Sequence, residues 1–180
     1  MKRNDIYQYL NLYKNLFGDN IYLKSNSGFK DFIKVVGNPE SSIVFIIEYK
    51  SKADLNNFKL NQLLNKMLSS INVSKEDVCV LNLLVPQGKT QLELSKYKID
   101  IKNQLINMKS NLVVALGKVS LISIFNTKKI MNLRQKILNY NEMDLLVTYH
   151  PADLLENPDL KRYAWEDFKL IRDKYINVWK

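Results

Sequence analysis

The chain has 180 residues, 46% hydrophobic and 25% charged, enough apolar side chain for one domain with a real core and too much for a disordered chain. Its formal net charge of +9 fits an anionic partner such as nucleic acid or an acidic protein surface, or a general lysine bias. The single cysteine, Cys79, excludes an internal disulfide and any multi-cysteine metal site; no apolar run reaches membrane-spanning length, so a cytoplasmic protein without membrane contact is expected.

In chain order, residues 5–16 read as a short amphipathic helix. Ile6, Leu10, Tyr13 and Phe17 share one face at helical spacing, and Gly18 can end it. Tyr7 lies on another face, so the segment could also dock in a partner's groove. Residues 21–24 suggest a short strand, and residues 25–38 a loop. The run IVFII at 43–47 is apolar on both faces, the pattern of a buried strand. Residues 57–71 place Phe58, Leu60, Leu64, Met67 and Leu68 at helical spacing. VCVLNLLV at 78–85 is a second buried strand, with Cys79 as an inert core thiol. A helix is expected over 92–108 and a third strand, NLVVAL, at 111–116. Gly117 turns into a helix over 119–125, a fourth strand covers 145–148, and a last helix covers 161–179.

Strands alternating with helices imply an α/β fold: a three-layer αβα sandwich around a mostly parallel four-stranded sheet. Ligand sites in such sheets lie beyond the carboxyl ends of the strands. Glu48, Asn82, Gly117 and His150 are the residues there.

Four segments carry a resemblance. They are IVFIIEYKS, VCVLNLLVP, NLVVALGKVSLISIF and VTYHPADLLENPDLKRYAWEDF. In this order they resemble the uracil-DNA glycosylase superfamily, in particular its iron–sulfur branch. The resemblance spans roughly residues 43–174, and the last segment is its most specific part. It implies a base flipped into a pocket and read along its edge. It gives His150 the part of donor to the departing base, Asn82 that of base reader, and Glu48 the Glu of a GEAPG loop. Phe58 would stack on the base, and Lys161 and Arg162 would touch phosphates. Trp165 and Phe168 suit packing of the last helix on the sheet.

The departures from that pattern are equally specific. Ile47, Tyr49, Lys50 and Ser51 replace the Gly, Ala, Pro and Gly around the Glu. Val85 and Pro86 replace a Lys and a cluster Cys, the other cluster cysteines are missing, and Gln135 replaces a Gly. No cofactor is therefore expected. Each retained residue also has a plain structural use: His150 as a turn cap, Asn82 in a local backbone bond, Glu48 as a solvated carboxylate.

The opening KRNDIYQYLNLYKNLFGDNIYL and the stretch FKLNQLLNKMLSSINVSKEDVCVL are similar to the psi subunit of the bacterial DNA polymerase III clamp-loader complex, a non-catalytic relative of the same fold. That resemblance implies a partner-binding segment over residues 1–25, carried by Ile6, Tyr7, Leu10, Tyr13 and Phe17. Residues 26–180 would form the glycosylase-like body, and the partners would be a clamp-loader subunit and a chi-like protein. The expectation is a replication accessory protein without activity. The alternative is a divergent active glycosylase acting on single-stranded or uracil-containing DNA.

Overall fold

In the computed structural model the apolar run at 43–47 lies in the middle of a six-stranded sheet. Residues 33–85, 98–108, 110–125 and 129–177 are described, all within one compact unit, Asp31–Lys180. The strands are β1 (Ile33–Gly37), β2 (Ile43–Tyr49), β3 (Cys79–Leu84), β4 (Leu112–Leu116), β5 (Leu138–Tyr140) and β6 (Met143–Thr148). The helices are α1 (Lys52–Leu55), α2 (Phe58–Ser69), α3 (Lys98–Met108), α4 (Gly117–Phe125), α5 (Ile130–Leu133), α6 (Pro151–Glu156) and α7 (Leu160–Ile171). A π-helical turn, Arg172–Ile176, follows α7.

The strand order is β1-β3-β2-β4-β6-β5. The inner four strands run parallel, as the alternation of strands and helices predicts. The expected four-stranded sheet is corrected to six, because β1 and β5 add one antiparallel strand at each edge. Both are short, and β1 is half-exposed to exposed along its whole length, so neither leaves an apolar signature. The segment expected to be a loop over 25–38 therefore contains β1. Gly37 closes β1 at a positive φ of 85°, and a Cβ there would lie 2.2 Å from the Val78 carbonyl oxygen.

Burial explains the sequence pattern. Residues 43–47 of β2 and all of β4 are buried, so both strands are apolar throughout. Phe168 of α7 stacks on Phe45 of β2, with ring centroids 6.0 Å apart, which confirms the expected packing of α7 on the sheet. The strand registers place Lys34, Asn82, Ile47, Leu116 and Thr148 in one row across the sheet, on the face covered by α7. Glu48 pairs with Leu83 one residue further on and therefore points to the opposite face, toward α4.

The final helix is shorter than its sequence span, since α7 gives way to the π-helical turn at Arg172. The helix read over 5–16, its residues Ile6, Tyr7, Leu10, Tyr13 and Phe17, the strand at 21–24 and the boundary at 25/26 lie outside the described residues. Among the described residues, no helix is long and apolar enough to cross a membrane.

Candidate active site

The carboxyl ends of β2, β4 and β6 converge at Gly117. Its φ is +89°, and a Cβ there would lie 2.6 Å from Glu48 Oε1 and 2.8 Å from His150 Cβ. Only glycine lets the chain turn from β4 into α4 under those two residues. Glu48 then meets the start of α4. Ser120 Oγ donates to Glu48 Oε2 at 2.8 Å, and the Ser120 and Val119 amides approach the carboxylate at 3.4 Å. An anion suits the N-terminus of a helix, so this carboxylate braces the β4–α4 turn. It is an engaged group, in contrast to the solvated carboxylate that the sequence also allowed.

His150 is buried and forms the N-cap of α6, just before Pro151. Its Nδ1 accepts from the Ala152 amide at 3.0 Å, and its Nε2 lies 2.9 Å from the Glu48 carbonyl oxygen. An amide can only donate and a carbonyl can only accept. The two contacts together assign the neutral ring with its proton on Nε2. The proton thus points to the end of β2, the place where a ligand beyond the strand ends would lie.

Behind His150 a buried network fixes β6 to α7. Arg134 pairs with Asp167 (Nε to Oδ2, 2.8 Å), and Thr148 Oγ1 donates to the same carboxylate at 2.6 Å. The Arg134 guanidinium also lies over the rings of Tyr149 and Tyr163, at 5.3 and 5.0 Å. Burial pushes the Asp167 carboxyl above its ordinary pKa, against the pull of Arg134 and Thr148. Sequence reasoning misses this network, because its members come from three separate elements. The conspicuous Arg134-Gln135 pair is its one signal in the sequence.

Asn82 sits on β3, on the sheet face opposite the Glu48 side chain. It is 7% exposed, and among the described residues its side-chain amide has no hydrogen-bond partner. The local backbone bond that the sequence allowed for it is not formed. Instead Asn82 lines a cavity of about 170 Å³ together with Tyr49, Lys34 and Lys75. Tyr49 connects the two halves of the site. It is buried, stands edge-on to the His150 ring at 6.5 Å, and lines the Asn82 cavity. Desolvation raises its hydroxyl pKa to about 12. The side chain expected to crowd this space does stand there.

The structure thus joins Glu48 to His150 directly and sets Asn82 next to them across Tyr49. Phe58 starts α2 and is 75% exposed, stacked on no ring among the described residues. Lys161 and Arg162 are exposed on α7, with the Arg162 guanidinium 5.1 Å from the Tyr163 ring centroid.

An iron–sulfur cluster does not fit these residues. Such a cluster needs several thiolates. The chain has one cysteine, fully buried in β3, with its thiol pushed up to about 11 by desolvation. Among the described residues no group of three His, Cys, Asp or Glu side chains could hold a metal ion.

The parallel sheet, the glycine turn at 117 and the His-Pro cap define a class. Residues 36–169 match the family model described as the uracil DNA glycosylase superfamily, and the chain belongs to that superfamily. Among curated proteins it is similar to type-4 uracil-DNA glycosylases. It is 29% identical to that of Archaeoglobus fulgidus over 160 residues, which is 78% of this chain and 80% of the relative. It is 25% identical to that of Saccharolobus solfataricus over 170 residues, 80% of this chain and 76% of the relative. For the protein of Sulfurisphaera tokodaii the figures are 26% over 160 residues, 78% and 73%.

These relatives overturn the expected kinship with the psi subunit and, with it, the expected replication role and clamp-loader partners. The physical reason is the information content of the segments. An amphipathic helix followed by glycine is common, whereas a His-Pro turn tied by both ring nitrogens is not.

Proposed function

We propose that this chain is an active uracil-DNA glycosylase of DNA repair, working in the cytoplasm on uracil-containing DNA. The observation that carries this reading is His150. A buried, neutral imidazole with its proton on Nε2, aimed at the strand ends, is the group needed to meet charge on a departing base. Hydrolysis breaks the bond between the sugar C1′ and the base N1. The electron pair leaves with the base, spread over N1 and its carbonyl oxygens, and water supplies the oxygen that adds to C1′.

His150 would turn its Nε2 proton from the Glu48 carbonyl to a base oxygen, while the Ala152 amide keeps the ring in the same tautomer. Asn82, whose amide faces the cavity, would read the base edge with one donor and one acceptor. Phe58 would have to turn in to stack on the base, and Lys161 and Arg162 would hold flanking phosphates.

The test is uracil release from single-stranded DNA carrying one deoxyuridine. Wild-type protein should release uracil, and His150→Ala should lower the rate by about 10²–10³-fold, the usual effect of one lost donor to a developing anion. No release by wild-type protein in large excess over DNA would remove the glycosylase reading.

A further inference from the structure

The cavity beside Asn82 carries more positive charge than a pocket for a neutral base needs. Lys34 reaches it from β1, where it is the cross-strand neighbour of Asn82, and Lys75 from the turn after α2. Among the described residues, no carboxylate lines it. Glu76, next to Lys75 in sequence, is the acid that acts on that lysine. Lys75 Nζ donates to Asn61 Oδ1 at 3.2 Å, which holds the ammonium at the wall. Burial lowers the Lys75 pKa more than Glu76 raises it, so the cation is partly stripped of water. A desolvated cation attracts an anion more strongly than a solvated one. Asn82 adds a nine-tenths buried amide without a partner among the described residues, the kind of polar group that native interiors leave unpaired only for a reason. The apolar wall includes Val80 and Leu64.

We infer that this cavity binds an anionic monocyclic pyrimidine, with Asn82 pairing to the ring edge and Lys34 and Lys75 supplying the counter-charge. A volume of about 170 Å³ holds a few waters' worth of ligand and falls short of the several hundred Å³ of pockets for larger molecules. A pyrimidine with a carbonyl edge suits the amide, and its flat faces suit Val80 and Tyr49. The link to excision rests on the glycosylase function proposed above: a uracil leaving with its bonding electron pair is such an anion. His150 has its proton on the Glu48 carbonyl, so the two lysines give the departing charge a second place to be stabilised. Lys34 lies outside the residues matched by the family model, which makes it a feature of this chain.

The experiment titrates the full-length protein at low salt with two probes of one size: neutral uracil, and orotate, which is uracil bearing a carboxylate. Binding is read by calorimetry or ligand-detected NMR. Orotate should bind at least about tenfold more tightly than uracil. Lys34→Gln and Lys75→Gln should each cut that preference several-fold, and Asn82→Ala should weaken both probes. Lys34 is exposed on an edge strand, so Lys34→Gln tests the idea even if Lys75→Gln misfolds by circular dichroism. Equal binding of the two probes, binding of neither, or an orotate preference unchanged in Lys34→Gln overturns the inference. Uracil release is measured on the same proteins. Orotate binding without release keeps the pocket and removes the glycosylase function; release without orotate preference does the reverse.

Discussion

Tyr49 and His150 show how one side chain's surroundings decide its chemistry. The hydroxyl of Tyr49 is raised from 10.0 to about 12 by desolvation alone. An acid whose folded pKa stands above its unfolded value supports the native state fully below the unfolded pKa. That support disappears as pH rises through the folded value. Tyr49 should therefore cost the fold stability only between pH 10 and about 12. The loss at the upper end is about 2–3 kcal/mol, because each tenfold change in an acid constant is worth about 1.4 kcal/mol. Cys79 acts in the same direction from 9.0 to about 11. Urea unfolding at pH 8 and pH 11 should show a steep loss for wild-type protein and a shallower one for Tyr49→Phe. Equal slopes would mean that Tyr49 ionises without leaving its site. His150 obeys the same logic at its ring: two fixed partners select one tautomer, so removing the ring also removes the cap of α6. His150→Ala should then lose about 1 kcal/mol of stability besides its activity.

Among the elements, the turn between α5 and β5 is a good test of strain. Gln135 stands there at a φ of +55°, at the place of a glycine in the family pattern, and its side chain donates to Glu166 Oε2 at 2.8 Å. A left-handed backbone costs an ordinary residue about 1–2 kcal/mol, and glycine escapes this at an entropic cost of about 0.5–1 kcal/mol. Gln135→Gly should thus stay within about 1 kcal/mol of wild type, whereas Gln135→Val should lose more, because a β-branched side chain fits this region badly. Thermal unfolding of the two variants checks the order; Val equal to Gly would show that the turn relaxes to negative φ. The same turn shows why part of the fold was legible and part was not. β2, β3, β4 and β6 announced themselves because burial on both faces leaves an unbroken apolar run. β1 and β5 did not, because an edge strand of three to five residues needs no apolar signature. In the site, Gly117 and His150 were readable from the strand–glycine turn and the His-Pro step. Lys34 and Lys75 were not: only the tertiary fold brings residues from β1 and from the turn after α2 to one cavity.

At the scale of the whole molecule, the excess of positive charge must be arranged, because a net charge of +9 spread evenly would give only weak, diffuse attraction. One ordered arrangement is the outer face of α7 and its π-helical extension. Arg162, Trp165, Lys169 and Arg172 follow one another at helical spacing. The Lys169 ammonium and the Arg172 guanidinium lie 5.9 and 5.8 Å from the Trp165 ring centroid. Trp165 itself is 39% exposed. An aromatic face between cations suits a base stacked between phosphates on a single strand. In the proposed function this helix would carry the DNA while the strand ends handle the base. If Lys161, Arg162, Lys169 and Arg172 each displace one counterion, the slope of log affinity against log salt should be about −3 for single-stranded DNA. Lys161→Gln and Arg162→Gln should each make that slope shallower by somewhat less than one, uniformly across DNA sequences, and should leave the orotate preference of the Asn82 cavity intact. Fluorescence anisotropy with a labelled oligonucleotide over a salt series reads this directly. A slope unchanged in the double variant would move the DNA path off α7, onto the other lysines of the chain.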